Sequence, residues 1–265
     1  MTARVQATEG TEITELHREA EKQRLRFSAS PVNSVASVRS VAFTPRERRL
    51  IARLRTPTRV QRYLNRLPYN EEPHGRATLR SFRGVIRHGA AHCLEAALFA
   101  ATVLSANGYP PLLLSFESID ELDHVIFVYR RGGRWGSVAR SRDPGLHGRR
   151  PLFATARALA LSYFDPYIDL TGRITGYAVV DLDALMGGYD WRLAHTNVWK
   201  VERALLDCPH RPIASSNVRV NRLRARYRRF VRAYPGHKPV KYPGRERWTE
   251  LPAAFNRDRS LAWVE

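Results

Sequence analysis

Two residues in this sequence have the type and the placing for covalent chemistry: Cys93, in HCLEAALFAATVL, and His124, in DHVIFVYRR. A thiol attacks a carbonyl only as the thiolate, and free cysteine is mostly protonated near neutral pH. A helix N-terminus favours the anion, because its unpaired N–H groups and the helix dipole present positive charge there. An imidazole within reach takes the thiol proton and later returns it to a leaving group. The pattern points to nucleophilic acyl chemistry, provided that the fold carries His124 to the leading end of the helix that starts near Cys93. Tyr69 and Asn70 in LPYN, His92 and Trp135 are the candidates to line the cleft. The Asn70 amide could help bind an oxyanion, although the Cys93 backbone N–H is the more dependable donor. His88, His92, Cys93 and His124 also offer a zinc alternative. Helix-start signals between His88 and His92 argue against a shared helical face, and no metal or other cofactor is expected.

The elements that must position this pair can be read around it. Residues 1–40 form a polar arm, with a short amphipathic helix expected over about 12–26. Thr44-Pro45 with Glu47 has the capping-box pattern and predicts a short helix; Thr56-Pro57 predicts another, ending at Pro68. A third helix is expected over 78–89, with Leu79, Phe82, Val85 and Ile86 at helical spacing. Ala90 to Asn107 is almost wholly apolar and strongly helix-forming, so it reads as a buried central helix capped by Asn107-Gly108. PPLLLSFES, DHVIFVYRR and RWGSVAR then read as three strands, the last two joined at Gly132-Gly133. That glycine pair is turn chemistry, since no Walker or dinucleotide fingerprint is present. Residues 144–152 read as a loop, LFATARALALSYFDPYIDL as a helix cut off near Asp165-Pro166, 173–183 as a strand, and 190–207 as a helix. The fold class is α+β, a helical N-terminal half packed on a small antiparallel sheet. The arm (1–40), a central domain (41–207) and a basic extension (208–265) are the expected divisions.

The order Cys at a helix start, buried strand, His at the next strand start, and a hairpin bearing Gly and Trp resembles the transglutaminase-like superfamily of papain-type cysteine enzymes. LPYN upstream and LSYFDPY and NVW downstream look similar to a bacterial branch of it, and the resemblance covers roughly residues 43–205. It implies a transglutaminase-like or papain-like core and acyl transfer, by amide hydrolysis or transamidation of a peptide or protein, with Cys93 as nucleophile and His124 as base. In the superfamily an Asp on the third strand, about four residues past the Trp, orients the imidazole. Here that position is Ala139. Asp143, Ser141 and Ser137, in that order, are the candidates to replace it. Asp123 adjoins His124, but neighbours on a strand point to opposite faces. Without a carboxylate the imidazolium is less stabilised and its tautomer less fixed, so a catalytically inactive peptide-binding module is the alternative.

Charge adds a third reading. The chain carries 44 Lys and Arg against 25 Asp and Glu, a net +19. Residues 217–247 hold eleven of the cations and one Glu. Arg222, Arg224, Arg226, Arg228, Arg229 and Arg232 lie in a predicted helix with Tyr227, Phe230 and Tyr234 among them, a composition able to track a phosphate backbone. No recognised nucleic-acid-binding signature accompanies it. Two cysteines exclude a disulfide framework, and Cys208 beside Pro209 reads as incidental. With no apolar signal segment and no apolar run long enough for a membrane span, a cytoplasmic protein without membrane insertion is expected.

Overall fold

The computed structural model describes residues 43–239, except 73, 74 and 122. The polar arm, its expected helix and the chain beyond 239 lie outside the described residues. From residue 44 on, the described residues belong to one compact unit.

Capping chemistry sets the first two helices. α1 (Pro45–Arg53) begins on Thr44, whose hydroxyl accepts from the Glu47 N–H at 3.2 Å while the Glu47 carboxylate accepts from the Thr44 N–H at 2.7 Å. α2 (Pro57–Arg66) begins on Thr56 in the same way. The third helix is shorter than the apolar spacing predicts: α3 spans only Phe82–His88. The N–H groups of Thr78, Leu79 and Arg80 are held instead by side chains, namely Glu72, Asn197 and Glu95. Those bonds keep 78–80 extended until Ser81 caps the helix. Gly89, at φ 68°, ends α3 in the left-handed region that a glycine enters without strain. The chain then runs extended, pairing Ala91 with Tyr69, before α4 (Cys93–Ser105) begins.

Among the described residues the sheet has five strands: β1 (Leu112–Ser118), β2 (Val125–Arg131), β3 (Arg134–Val138), β4 (Ile174–Asp181) and the short β5 (Arg211–Pro212). Their order is β3-β2-β1-β4-β5, and each neighbouring pair is antiparallel. The fold is therefore α+β. The β2–β3 turn falls on Gly132 and Gly133, both with positive φ. α4 packs chiefly on β2, and by strand alternation it faces the buried Leu113, Phe127 and Tyr129. The opposite face presents Leu114, Phe116, Ile126 and Val128 to α5 (Ala156–Tyr167), whose Leu159, Ala160, Tyr163 and Phe164 complete that core. Pro166 lies inside the last turn of α5, so the helix closes one residue beyond it.

Two further helices differ from the sequence pattern. Asp181 caps a short α6 (Leu182–Met186) with both the Asp183 and Ala184 N–H groups. The helix expected over 190–207 starts only at Trp199, giving α7 (Trp199–Asp207). Before it, the Asp190 carboxylate accepts from the Arg192 and Leu193 N–H groups, a local turn that competes with helix. Beyond residue 207 the chain still builds the same unit. β5 pairs with β4, and α8 (Asn217–Ala233) sends Val220 and Leu223 into the core. Among the described residues no helix is long and apolar enough to cross a membrane.

Candidate active site

Cys93 is the first residue of α4, so its sulfur lies in the field of a helix whose body is buried from Leu94 to Leu104. Cys93 remains partly exposed on the floor of a cleft of about 390 Å³. His124 immediately precedes β2 and is buried, its ring beside the Phe116 and Tyr163 pair at 6.1 Å from each. The fold brings the two together. Burial alone would raise the Cys93 pKa. Hydrogen bonds from His124 and His92, and the charge that either ring carries when protonated, reverse that and hold the thiol well below its ordinary value. The sulfur is thus flanked by two imidazoles, where the sequence pointed to one.

The side of His92 is built round Glu95, wholly buried in an otherwise apolar helix. Its carboxylate accepts from the backbone N–H of His92 (3.1 Å) and Arg80 (2.9 Å), the Thr78 hydroxyl (3.0 Å) and the Asn70 amide (3.0 Å). The Arg80 guanidinium is a further 3.7 Å away. The His92 Nε2 donates to the Thr78 carbonyl at 2.9 Å and lies 3.7 Å from Glu95. Burial opposes a charge on His92. The hydrogen bond and negative charge of Cys93, the Glu95 carboxylate and the Thr78 carbonyl outweigh it and lift its pKa to about 9. The Asn70 amide donates to Thr78 Oγ1 and Glu95, so both its N–H groups serve this network rather than an oxyanion. The Cys93 N–H meets the Tyr69 hydroxyl, and burial, with the Cys93 charge, pushes that phenol far above its ordinary value. Tyr69 therefore keeps its proton beside the sulfur.

On the other side, the His124 Nε2 lies 3.1 Å from the carbonyl oxygen of Leu146. A carbonyl only accepts, so Nε2 carries the proton and Nδ1 is left as the basic nitrogen. Asp143, Ser141 and Ser137 do not take that place. The Asp143 carboxylate pairs with Lys238 at 2.5 Å, and its backbone N–H donates to Ser141 Oγ. Ser137 bonds the Tyr163 hydroxyl at 2.7 Å and accepts from the Arg149 N–H. It braces the loop that presents Leu146 instead of touching the ring. Arg149 is the centre of that brace. Its guanidinium donates to the carbonyls of Gly145 (2.6 Å) and His147 (2.5 Å) and stacks on Tyr163 at 4.1 Å.

The remaining candidates lie apart from this cleft. Trp135 pairs across a bridge with Phe153 and packs against the core that α5 covers. Cys208 donates to the Leu205 carbonyl, and burial raises its pKa. On α8, Arg222, Arg228, Arg229 and Arg232 are exposed, whereas Arg219 pairs with Asp165 and Arg224 donates to the Thr171 carbonyl. Of the aromatic residues expected to stack on bases, Phe230 is buried, Tyr227 packs against the core, and the half-buried Tyr234 lies against Phe230. Among the described residues no group of three or more His, Cys, Asp or Glu side chains is placed to hold a metal ion. The chain matches no protein-family model and no curated protein.

Sequence reasoning missed Glu95, Thr78 and Leu146. Glu95 did leave a signal, as the one charge in the apolar run from Ala90 to Asn107, three residues after the helix N-cap. A backbone carbonyl such as that of Leu146 leaves none.

Proposed function

We propose that this protein is a cysteine-dependent acyl-transfer enzyme with a transglutaminase-like, papain-type core, acting on a peptide or protein amide. The observation that carries the reading is the Cys93 sulfur at a buried helix's leading end, open to a cleft and hydrogen-bonded by two imidazoles. In the resting site the thiol proton resides on an imidazole. Cys93 attacks the amide carbon, and the oxyanion formed takes a hydrogen bond from the Tyr69 hydroxyl, whose oxygen in turn holds the Cys93 N–H. The C–N bond breaks as the imidazolium protonates the leaving amine. His124, neutral again through Nδ1, then removes a proton from water or from an incoming amine, which attacks the thioester and frees the thiolate.

A second reading has its own support. A neutral carbonyl, not a carboxylate, orients His124. It fixes the tautomer but stabilises the imidazolium less, so a slow enzyme or a peptide-binding module also fits.

Alkylation by iodoacetamide across pH, followed by intact mass, tests the first reading. The thiolate fraction rises as pH climbs through the depressed Cys93 value. The rate should therefore reach its plateau well below about pH 8.5, the range of a free cysteine. It should change again near pH 9, where His92 loses its proton. Cys93→Ala should abolish the labelling, with Cys208 reacting only at high pH. A rate that simply follows a free thiol, or no acyl-enzyme mass with activated acyl donors, would defeat the reading.

A further inference from the structure

The cleft around Cys93 has the opposite charge to the molecule. The chain is +19 in total. Yet among the described residues the cleft is lined by Glu71, Glu72, Glu121, Asp123 and Glu202, with Arg142 as the one guanidinium. Arg142 is already engaged, 3.6 Å from Glu71 and over the Tyr69 ring. Glu72 and Asp123 accept backbone N–H groups from Thr78 and Ser118, which orients them without neutralising them. Among the described residues Glu121 and Glu202 are exposed and take part in no ion pair. Lys200 and Arg203 of α7 lie outside the cleft lining.

The same wall is apolar as well as acidic. Trp199, Glu202 and Leu206 fall at helical spacing along α7, and all three line the cleft. Trp199 is 41% and Leu206 61% exposed, high for large apolar side chains on a wall beside a nucleophile. Such a surface suits a ligand with both a cation and apolar bulk near the reacting carbonyl.

Resting on the acyl-transfer reading of Cys93, we propose that the cleft selects a cationic peptide, with Arg or Lys beside the acyl group that Cys93 attacks and an apolar residue laid on Trp199 and Leu206. The carboxylates of Glu121 and Glu202 hold the cation. The field of the whole chain draws anions to its outer surface, so selection of a basic peptide has to come from this local wall. It also suits the thiolate, because a bound cation offsets acidic groups that would otherwise disfavour a second negative charge.

The test uses the full chain carrying Cys93→Ala and short peptides of one sequence, Leu-X-Gln-Leu, bearing a neutral dye, with X as Arg, norleucine or Glu. Fluorescence anisotropy at low ionic strength should find the Arg peptide bound roughly tenfold or more tighter than the Glu peptide, with the gap narrowing as salt is added. Glu121→Gln with Glu202→Gln should cut that preference severalfold, with an unchanged circular dichroism spectrum because both side chains are exposed. A Glu peptide that binds as well or better, as the net charge alone demands, overturns the proposal. So does a preference that survives the double variant. The reading beneath it fails separately. Charge-selective binding with no acyl-enzyme in the unmodified chain would remove acyl transfer and leave the cationic ligand. Acylation indifferent to X would do the reverse.

Discussion

On one side of the Cys93 sulfur, His92 leans toward a buried carboxylate; on the other, His124 meets a backbone carbonyl and two aromatic rings. The two sides come from different stretches of chain. Residues 69–95 supply the first, with Glu95 accepting four hydrogen bonds. Residues 137–149 supply the second. There Arg140 and Arg149 are buried with carbonyls as acceptors, and burial lowers the Arg140 pKa. A region rich in buried cations favours an anion on sulfur. The difference assigns two tasks that one histidine usually combines. On the proposed mechanism His92 keeps a standing positive charge beside the sulfur and a carboxylate, while His124, the stronger hydrogen-bond partner of the sulfur, passes the proton.

Exchanging the imidazoles gives the largest expected effects. His124→Asn should lower acyl-enzyme formation roughly 10²–10⁴-fold, the usual contribution of a general base. Its alkylation profile should also move toward that of an ordinary thiol, because His124 is the larger of the two influences on the sulfur. His92→Asn should move the profile the same way by less, while lowering acyl-enzyme formation far less than His124→Asn does. If the two variants slow acylation equally, the division of tasks is lost.

Glu95→Gln should come next. The amide can accept at one oxygen only, and its NH₂ would face groups that are themselves donors. Leaving buried donors without acceptors costs about 2–4 kcal/mol in total for a site of this kind. Urea denaturation should register that loss. The alkylation profile should also move upward in pH, since His92 would lose the carboxylate beside it. Lost stability with an unmoved profile would make Glu95 a purely structural capping residue.

Much of this arrangement was legible before any fold was known, and the parts that were not have physical reasons. Thr44-Pro45, Thr56-Pro57 and Gly132-Gly133 act locally, so their caps and turn appear where the sequence puts them. The start of α4 near Cys93 and of β2 near His124 follows from apolar patterning. The helix expected over 78–89 lost its first turn to long-range acceptors, Glu95 and Asn197, that no local window contains. The α8 pattern revealed a helix, but not that Val220 and Leu223 tie it to the core and leave cations without stacking aromatics outside. The orienting group of His124 was sought among side chains, whereas the fold uses a main-chain oxygen, which every residue has and no residue type announces.

Arg149→Lys should have the smallest effect and sharpens the same contrast from the His124 side. Lysine keeps a charge but lacks the planar fork that reaches two carbonyls of the loop while stacking on Tyr163. A loss of about 1–2 kcal/mol in stability is expected from the hydrogen bonds that go unmade. A looser Leu146 carbonyl fixes the His124 tautomer less firmly, so kcat should fall about tenfold with KM little changed, as expected of a group acting through another. The alkylation profile of Cys93 should stay where it is, because both imidazoles remain beside the sulfur. A KM effect, or a shift in the thiol's titration, would mean that the buried guanidinium acts on the sulfur through its field and not on the imidazole through the loop.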